Sequence, residues 1–418
     1  MACQQPVREA DPWNRLFQRT QGYGWSGGDG AYSVSLPASR TLWLFGDSIL
    51  SGVEGQNRSA AENRFGNTIA IQNNPAPGED PLGPGSIRFD WGPVGSSGWL
   101  PIFDETLNDP AVPESLRRAE AEQRPLAAWP LHGIVIGADL LLFNAVATSG
   151  SCENCGLFNF EVHGSTLSVV RGVDRPYDQW GFRTGVGWQD DSRPEQHFVA
   201  PGRHPTGAGR GLLWGTYVVT DPADRSSLFV YGHMTHGDSD ELVVARATGV
   251  STAGAASEFQ NWSYWTGAEW SADPESAGGI LSQSAVEVSV SPVPESVGSG
   301  WVVVHGGMDL AGLVHVALGA SPTGPFRERY VFSLYDCPIT GFDTQKRFVA
   351  YAIKAHPELS AEDELLVSLV LVPVEPGATA TLARTGHYVP RFLRLPWDEV
   401  MNHSRSSASR CEGSSSSS

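Results

Sequence analysis

Asp29 and Asp47 are the residues of this chain whose types and spacing best suit chemistry. They lie in GYGWSGGDGAYSVSLPASRTLWLFGDSIL, Gly22–Leu50, where two strand-like runs, Ala31–Leu36 and Thr41–Phe45, flank the turn Pro37-Ala38-Ser39-Arg40. A hairpin centred on Ala38 pairs residues whose numbers sum to 76, so Leu36 faces Arg40 and Asp29 faces Asp47. Opposed residues have Cα atoms about 4.5–5.5 Å apart and side chains on one face, so two carboxylates would converge at the open end of the hairpin. Like charges in that position repel, and no cation adjoins either aspartate in sequence. The pair is tolerated if it holds a cation or shares a proton. Three readings follow: a carboxyl pair for glycosidic bond cleavage, a calcium site, and turn aspartates that bond their own backbone. In the first, proximity holds one pKa up and leaves the other low, which separates acid from base or nucleophile. Gly27, Gly28, Gly30 and Gly46 would let a substrate approach the backbone closely. A one-residue bulge would move Asp29 off its partner.

The elements that must position this pair are strands. Five apolar runs, Thr41–Phe45, Leu140–Ala147, Leu228–Tyr231, Trp301–His305 and Leu365–Leu371, each follow another short β-like run and precede turn residues. Gly133–Ile136 and Leu212–Thr220 are two of the preceding runs. A unit of short antiparallel strands repeated five times predicts an all-β, five-bladed propeller, with a β-sandwich pair as the alternative. The widest spacing holds a loop-rich insertion in the first blade, with Gln72–Gly98 and one short helix, Glu114–Gln123. No linker divides the chain, so residues 11–394 read as one domain, 1–10 as an N-terminal tether and 395–418 as a disordered, Ser-rich tail.

Composition narrows the partners. The formal charge is −18 and only two lysines occur, Lys346 and Lys354, which argues against nucleic acid. No run of 18 apolar residues exists, so no transmembrane segment is expected. Fourteen tryptophans on an acidic, glycine- and proline-rich chain suit a neutral polysaccharide. Cys3, behind Met1-Ala2, resembles a lipoprotein cleavage point, so we expect a secreted or lipid-anchored protein of a bacterial cell envelope. Cys152 and Cys155, in C-E-N-C, lack a thioredoxin-like context or a second ligand pair and are expected to form a loop disulfide. No G-x-S-x-G elbow, P-loop or dinucleotide fingerprint appears in a strand-to-helix context.

GGDGAYSVSL followed by TLWLFGDS resembles the opening of the bacterial endo-D-arabinanases, glycoside hydrolases long filed as a domain of unknown function. AWPLHGIVIG, SPTGPF at Ser321–Phe326 and YAIKAHPEL at Tyr351–Leu359 fit the same pattern, so the resemblance runs over roughly Asp11 to Leu371. It implies a five-bladed propeller, Asp29 and Asp47 as the catalytic pair, and endo-hydrolysis of α-D-arabinofuranosyl links in arabinogalactan or lipoarabinomannan. No cofactor is required by that chemistry, although a structural calcium is compatible with it. His132 departs from the pattern: relatives tend to show Trp-Pro-Gly-Asp-Gly where this chain has Trp129-Pro130-Leu131-His132-Gly133. Rival readings are a non-catalytic glycan-binding propeller with calcium on the aspartates, and a hydrolase or lyase acting on another polysaccharide.

Seven further residues are candidates for substrate binding. Trp25 and Trp91 can stack on sugar rings, unless they pack between blades. The resemblance places Asn67 near the pair, where its amide can bond hydroxyls or cap a strand. Glu287, in SAVEVSV, lies on the face opposite Val286, Val288 and Val290, either solvated or lining the axis as a third carboxylate that tunes the pair. Lys354 and His356 lie at the substrate cleft or are exposed loop residues, and His132, the departure from the family pattern, completes the set. His132 and His305 would share a metal only if the fold joined them; no metal ligand is assigned.

Overall fold

A computed structural model describes residues 7–402 apart from 75–78, 82, 94, 109–111, 150–159, 200–210, 237–238, 255–260, 337–338, 340–341, 344–346 and 375–382. Cys3, Cys152 and Cys155 lie outside the described residues, so the lipoprotein and disulfide expectations fall there too. The architecture is a five-bladed β-propeller. The first four blades run outward from an innermost strand in sequence order. In blade one these are Gln21–Leu36, Arg40–Glu54, Thr68–Asn73 and Ile87–Trp91; in blade two, Leu126–Ile136, Asp139–Ser149, Phe160–Val170 and Glu195–Phe198. Blade three starts Gly211–Thr220, Leu228–His236 and Ser239–Ala247, and blade four is Val288–Pro292, Trp301–Gly306, Leu313–Gly319 and Arg327–Ser333. Each of the five apolar runs in the sequence falls in a second strand, buried on both faces between neighbouring blades, which is why it lacks polar alternation.

Blade five is composite. Phe348–Ala355, Glu364–Pro373 and Pro390–Pro396 are completed by Arg8–Glu9 from the other end of the chain. Arg8 pairs with Arg394 in register and bonds Glu364 at 2.7 Å, while Val7 and Ala10 are buried. Residues 7–10 therefore close the ring, where the sequence suggested a tether. At the other end, the chain stays structured beyond 394: Pro396 ends a strand and the helix Trp397–Asn402 buries Trp397 and Val400. Both extensions were illegible because two-residue strands and six-residue helices carry too little periodicity.

Five apolar clusters fill the five spaces between blades. Trp13, Trp25, Trp43, Phe17 and Phe392 pack between blades five and one, Trp99 between one and two, Trp214 and Trp262 between two and three, and Trp301 between three and four. Much of the tryptophan excess is thus packing. The short helix is observed as Glu114–Ala121; it buries Ala119, and Leu116 joins a satellite cluster with Val112, Val146 and Phe198. Among the described residues no helix is long and apolar enough to cross a membrane.

Candidate active site

Asp29 lies in the innermost strand of blade one and Asp47 in the strand beside it. The pairing whose numbers sum to 76 holds from Leu36–Arg40 to Tyr32–Leu44. It slips at Gly30, which faces Phe45, and is restored at Gly28–Ser48, leaving Asp29 across from the Gly46-Asp47 step. Gly30 at φ +76° and Ala31 at φ +53° make this bulge, and Ala31 adopts it at a steric cost of about 1 kcal/mol or more. A direct Asp29–Asp47 pairing is therefore corrected to a bulged one. The hairpin also continues past the pair, to Gln21 opposite Glu54, so the carboxylates lie midway along it and not at its open end.

Gly46 has a specific use here. A Cβ at this position would sit 2.5 Å from Asp29 Oδ1 and 3.9 Å from Trp129 Cδ1. The missing side chain makes the space that the Asp29 carboxyl occupies. Its other oxygen, Oδ2, accepts from the Tyr351 hydroxyl at 3.0 Å and from the Tyr388 hydroxyl at 2.8 Å. Asp47 Oδ1 accepts from the Trp129 indole at 2.8 Å, and the Trp129 ring is braced edge-on against Phe160 at 4.6 Å.

The electrostatics separate the two carboxyls. Burial, then the charges of Asp47 and Glu287, push Asp29 up to about 8 against the opposing tyrosine hydrogen bonds. Asp47 is open to solvent at its surface, yet the walls around it also raise its pKa; the Trp129 hydrogen bond and the charge of Arg64 restrain that rise. Glu287, raised by burial, is offset by Lys354. Asp29 thus faces two anions, Asp47 and Glu287, and Lys354 is shared between Asp29 and Glu287. Burial and these two charges favour the protonated form of Asp29.

Lys354 is buried, with its ammonium donating to the carbonyls of Gly30 and Ala352 and lying 4.3 Å from the Tyr32 ring centre. Ala352, at φ +56°, marks a bulge in the innermost strand of blade five, between Tyr351 and Lys354. One ammonium therefore bridges two bulges, one beside Asp29 and the other beside Tyr351. The sequence left Lys354 and His356 at the cleft or in an exposed loop; with 1% exposure Lys354 is neither, but an internal support for the cleft floor within the strand Phe348–Ala355.

Four other candidates are also redirected by burial. Trp25 is 2% exposed and stacked on Phe89 at 4.5 Å, so its ring faces the core between blades. Asn67 spends its amide on the backbone, donating to Leu100 O and Ala128 O and accepting from Leu100 N. His132 accepts from Val218 N at 3.1 Å through Nδ1, which leaves the proton on Nε2 to donate to Ser33 O at 3.2 Å. It stacks on Tyr217 at 4.0 Å, and burial lowers its pKa to about 3, so it is a neutral wedge between blades. His356 meets Ser33 Oγ at 2.5 Å, and that hydroxyl also donates to Glu358. Trp91 is on the outermost strand of blade one, opposite Thr68 and three strands from Asp29.

Glu287 does adjoin the pair electrostatically, though it precedes the strand Val288–Pro292 and is not within it. His305 bonds Gly306 O and stacks on His315, whereas His132 is occupied by Ser33 and Val218, so the two histidines have separate partners. Among the described residues no three His, Cys, Asp or Glu side chains are grouped to hold a metal ion. Sequence reasoning missed Tyr351, Tyr388 and Trp129. Tyr351 and Trp129 stand in the motifs YAIKAHPEL and AWPLHGIVIG, beside Lys354, His356 and His132.

A putative hydrolase from Bacteroides ovatus superposes with a TM-score of 0.64 at 18% identity, covering 95% of this chain and 92% of its own. An α-L-arabinofuranosidase from Podospora anserina reaches 0.42 at 10% identity, over 92% of this chain and 95% of its own. A GH62 α-L-arabinofuranosidase from Coprinopsis cinerea reaches 0.41 at 10%, over 90% and 98%. No curated protein matches the sequence. A family model covers residues 11–397, nearly the whole propeller, and the chain belongs to that family, described as the domain of unknown function DUF5005.

Proposed function

We propose that this protein is a glycoside hydrolase that cleaves furanosidic linkages with Asp29 as general acid and Asp47 as its ionised partner. The observation that carries the reading is the unequal environment of two carboxyls in one bulged hairpin: a buried Asp29 with Oδ2 held by two tyrosines, and a solvent-open Asp47 held by Trp129 near Arg64. In the reaction, the glycosidic C–O bond breaks as the Asp29 proton passes to the leaving oxygen. Asp47 takes a proton from the attacking water, or attacks the anomeric carbon itself. The anomer first released, read by NMR, distinguishes these routes. On the first route proton exchange with water resets the pair; on the second, water deprotonated by the now ionised Asp29 hydrolyses the Asp47 glycosyl ester, which returns both carboxyls to their starting states.

The resemblance of GGDGAYSVSL and FGDS to the endo-D-arabinanases supports the finer part of the proposal, internal cleavage of α-D-arabinofuranosyl polymers at a bacterial cell envelope. The assay is release of reducing ends and of an oligosaccharide ladder from arabinogalactan, lipoarabinomannan and plant L-arabinan. Cleavage of the first two is expected, with Asp29→Asn and Asp47→Asn each lowering the rate by about 10²–10⁴-fold. Full activity in both variants overturns the mechanism, and cleavage of L-arabinan alone overturns the substrate.

A further inference from the structure

The two tyrosines that meet Asp29 reach it from blade five by separate routes. Tyr351 is part of the innermost strand, immediately before the bulge at Ala352. Tyr388 stands in the segment between the second and third strands, at φ +57°. That segment is tied to blade one. Gly28 N donates to Tyr388 O at 2.9 Å, and the buried Arg58 guanidinium bonds the carbonyls of Ser26, Arg384 and His387 at 2.6, 2.7 and 2.9 Å. Both hydroxyls end on one oxygen, Oδ2, while Oδ1 lies over Gly46.

A protonated carboxyl has one good acceptor, its carbonyl oxygen, and one donor, its O–H. Two donors on Oδ2 make that atom the carbonyl oxygen, which leaves the proton to Oδ1. We infer that Tyr351 and Tyr388 are positioning residues that hold the acid proton of Asp29 on Oδ1, above Gly46 and on the side of Trp129 and Asp47. This rests on Asp29 being the acid. The carboxyl can otherwise exchange its two oxygens, and a proton on Oδ2 would face the tyrosines and not the leaving group. The remaining charged groups facing Asp29 are Asp47, Glu287 and Lys354, with Arg64 beside Asp47, and the tyrosine variants leave all four in place.

The test uses Tyr351→Phe, Tyr388→Phe and the double variant, which keep the rings and remove only the hydroxyls. Carboxyl ¹³C NMR titration of Asp29 is expected to move to higher pH by about one unit for each hydroxyl lost, because each donor favours the ionised form. In parallel, the alkaline limb of kcat/KM shifts the same way, with kcat at the plateau falling about 10-fold and KM unchanged. A titration unmoved or lowered, with kcat retained, overturns the inference. Asp29→Asn separates the two claims: if it abolishes cleavage while the tyrosine variants leave the titration unmoved, only the positioning role fails. If it retains full activity, the acid assignment fails.

Discussion

The Tyr388 hydroxyl donates to Asp29 Oδ2 at 2.8 Å although 359 positions separate the two residues. Blade five reaches the carboxyl of blade one at the seam where the ring closes, and the same seam is held by the Arg8–Glu9 strand and by Arg58. The chemistry of Asp29 is thus set by completion of the whole propeller, more than by the hairpin that carries it.

The raised Asp29 pKa predicts the pH dependence of the rate. The acid must hold its proton, so kcat/KM falls as pH rises through about 8. Asp47 must be ionised, and its pKa also lies above the ordinary carboxylate value, so activity falls on the acid side before pH reaches 3.8. A bell-shaped profile with its alkaline limb near 8 is expected from initial rates; a limb in the ordinary carboxylate range contradicts the assignment.

The same shift predicts a stability effect of opposite sign to the activity loss. Above pH 3.8 the unfolded chain ionises this carboxyl, while the folded site resists ionisation until about 8. Its contribution to stability is therefore greatest at low pH and is lost as pH rises through that window. Asp29→Asn cannot ionise, so the variant gains on the wild type across the window by about 1–3 kcal/mol at pH 8.5. Thermal melts at pH 4 and pH 8.5 check this; a gain confined to low pH contradicts it.

Gly46→Ala tests the space beneath the pair. The new methyl would lie 2.5 Å from Asp29 Oδ1, with Trp129 the next neighbour at 3.9 Å. Displacing the carboxyl by about 1 Å is expected to cost about 10²-fold in kcat. The global melting temperature should change little, since the carboxyl can move toward the cleft. Unchanged kcat in a folded protein would show that Oδ1 is not where the reaction needs it.

Trp25 separates packing from sugar binding. Its ring is held between Phe89, Phe45 and Phe17. Trp25→Ala should destabilise the protein by about 3–5 kcal/mol in denaturant titrations, while Trp25→Phe retains KM for the polymer. A raised KM without lost stability would return Trp25 to the cleft.

How much of this was legible can be judged residue by residue. Asp29 and Asp47 were found from one hairpin because a period of two and a central turn relate near neighbours in sequence. The five second strands were likewise visible, since burial between blades makes each of them uniformly apolar. The bulge at Gly30-Ala31 was not visible, because a single positive φ at alanine has no sequence signature. Nor could Trp25, Asn67, His132 or His356 be assigned between cleft and core, as the same side chains serve both.

By itself, the sequence determined the repeat, the acidic pair and the turn-rich all-β character, all of which depend on local pattern. Only the tertiary structure decided that Tyr351, Tyr388, Trp129, Glu287 and Lys354 surround that pair. The physical reason is that hydrogen bonding and charge act over a few ångströms in space, and ring closure brings together segments separated by more than 300 residues.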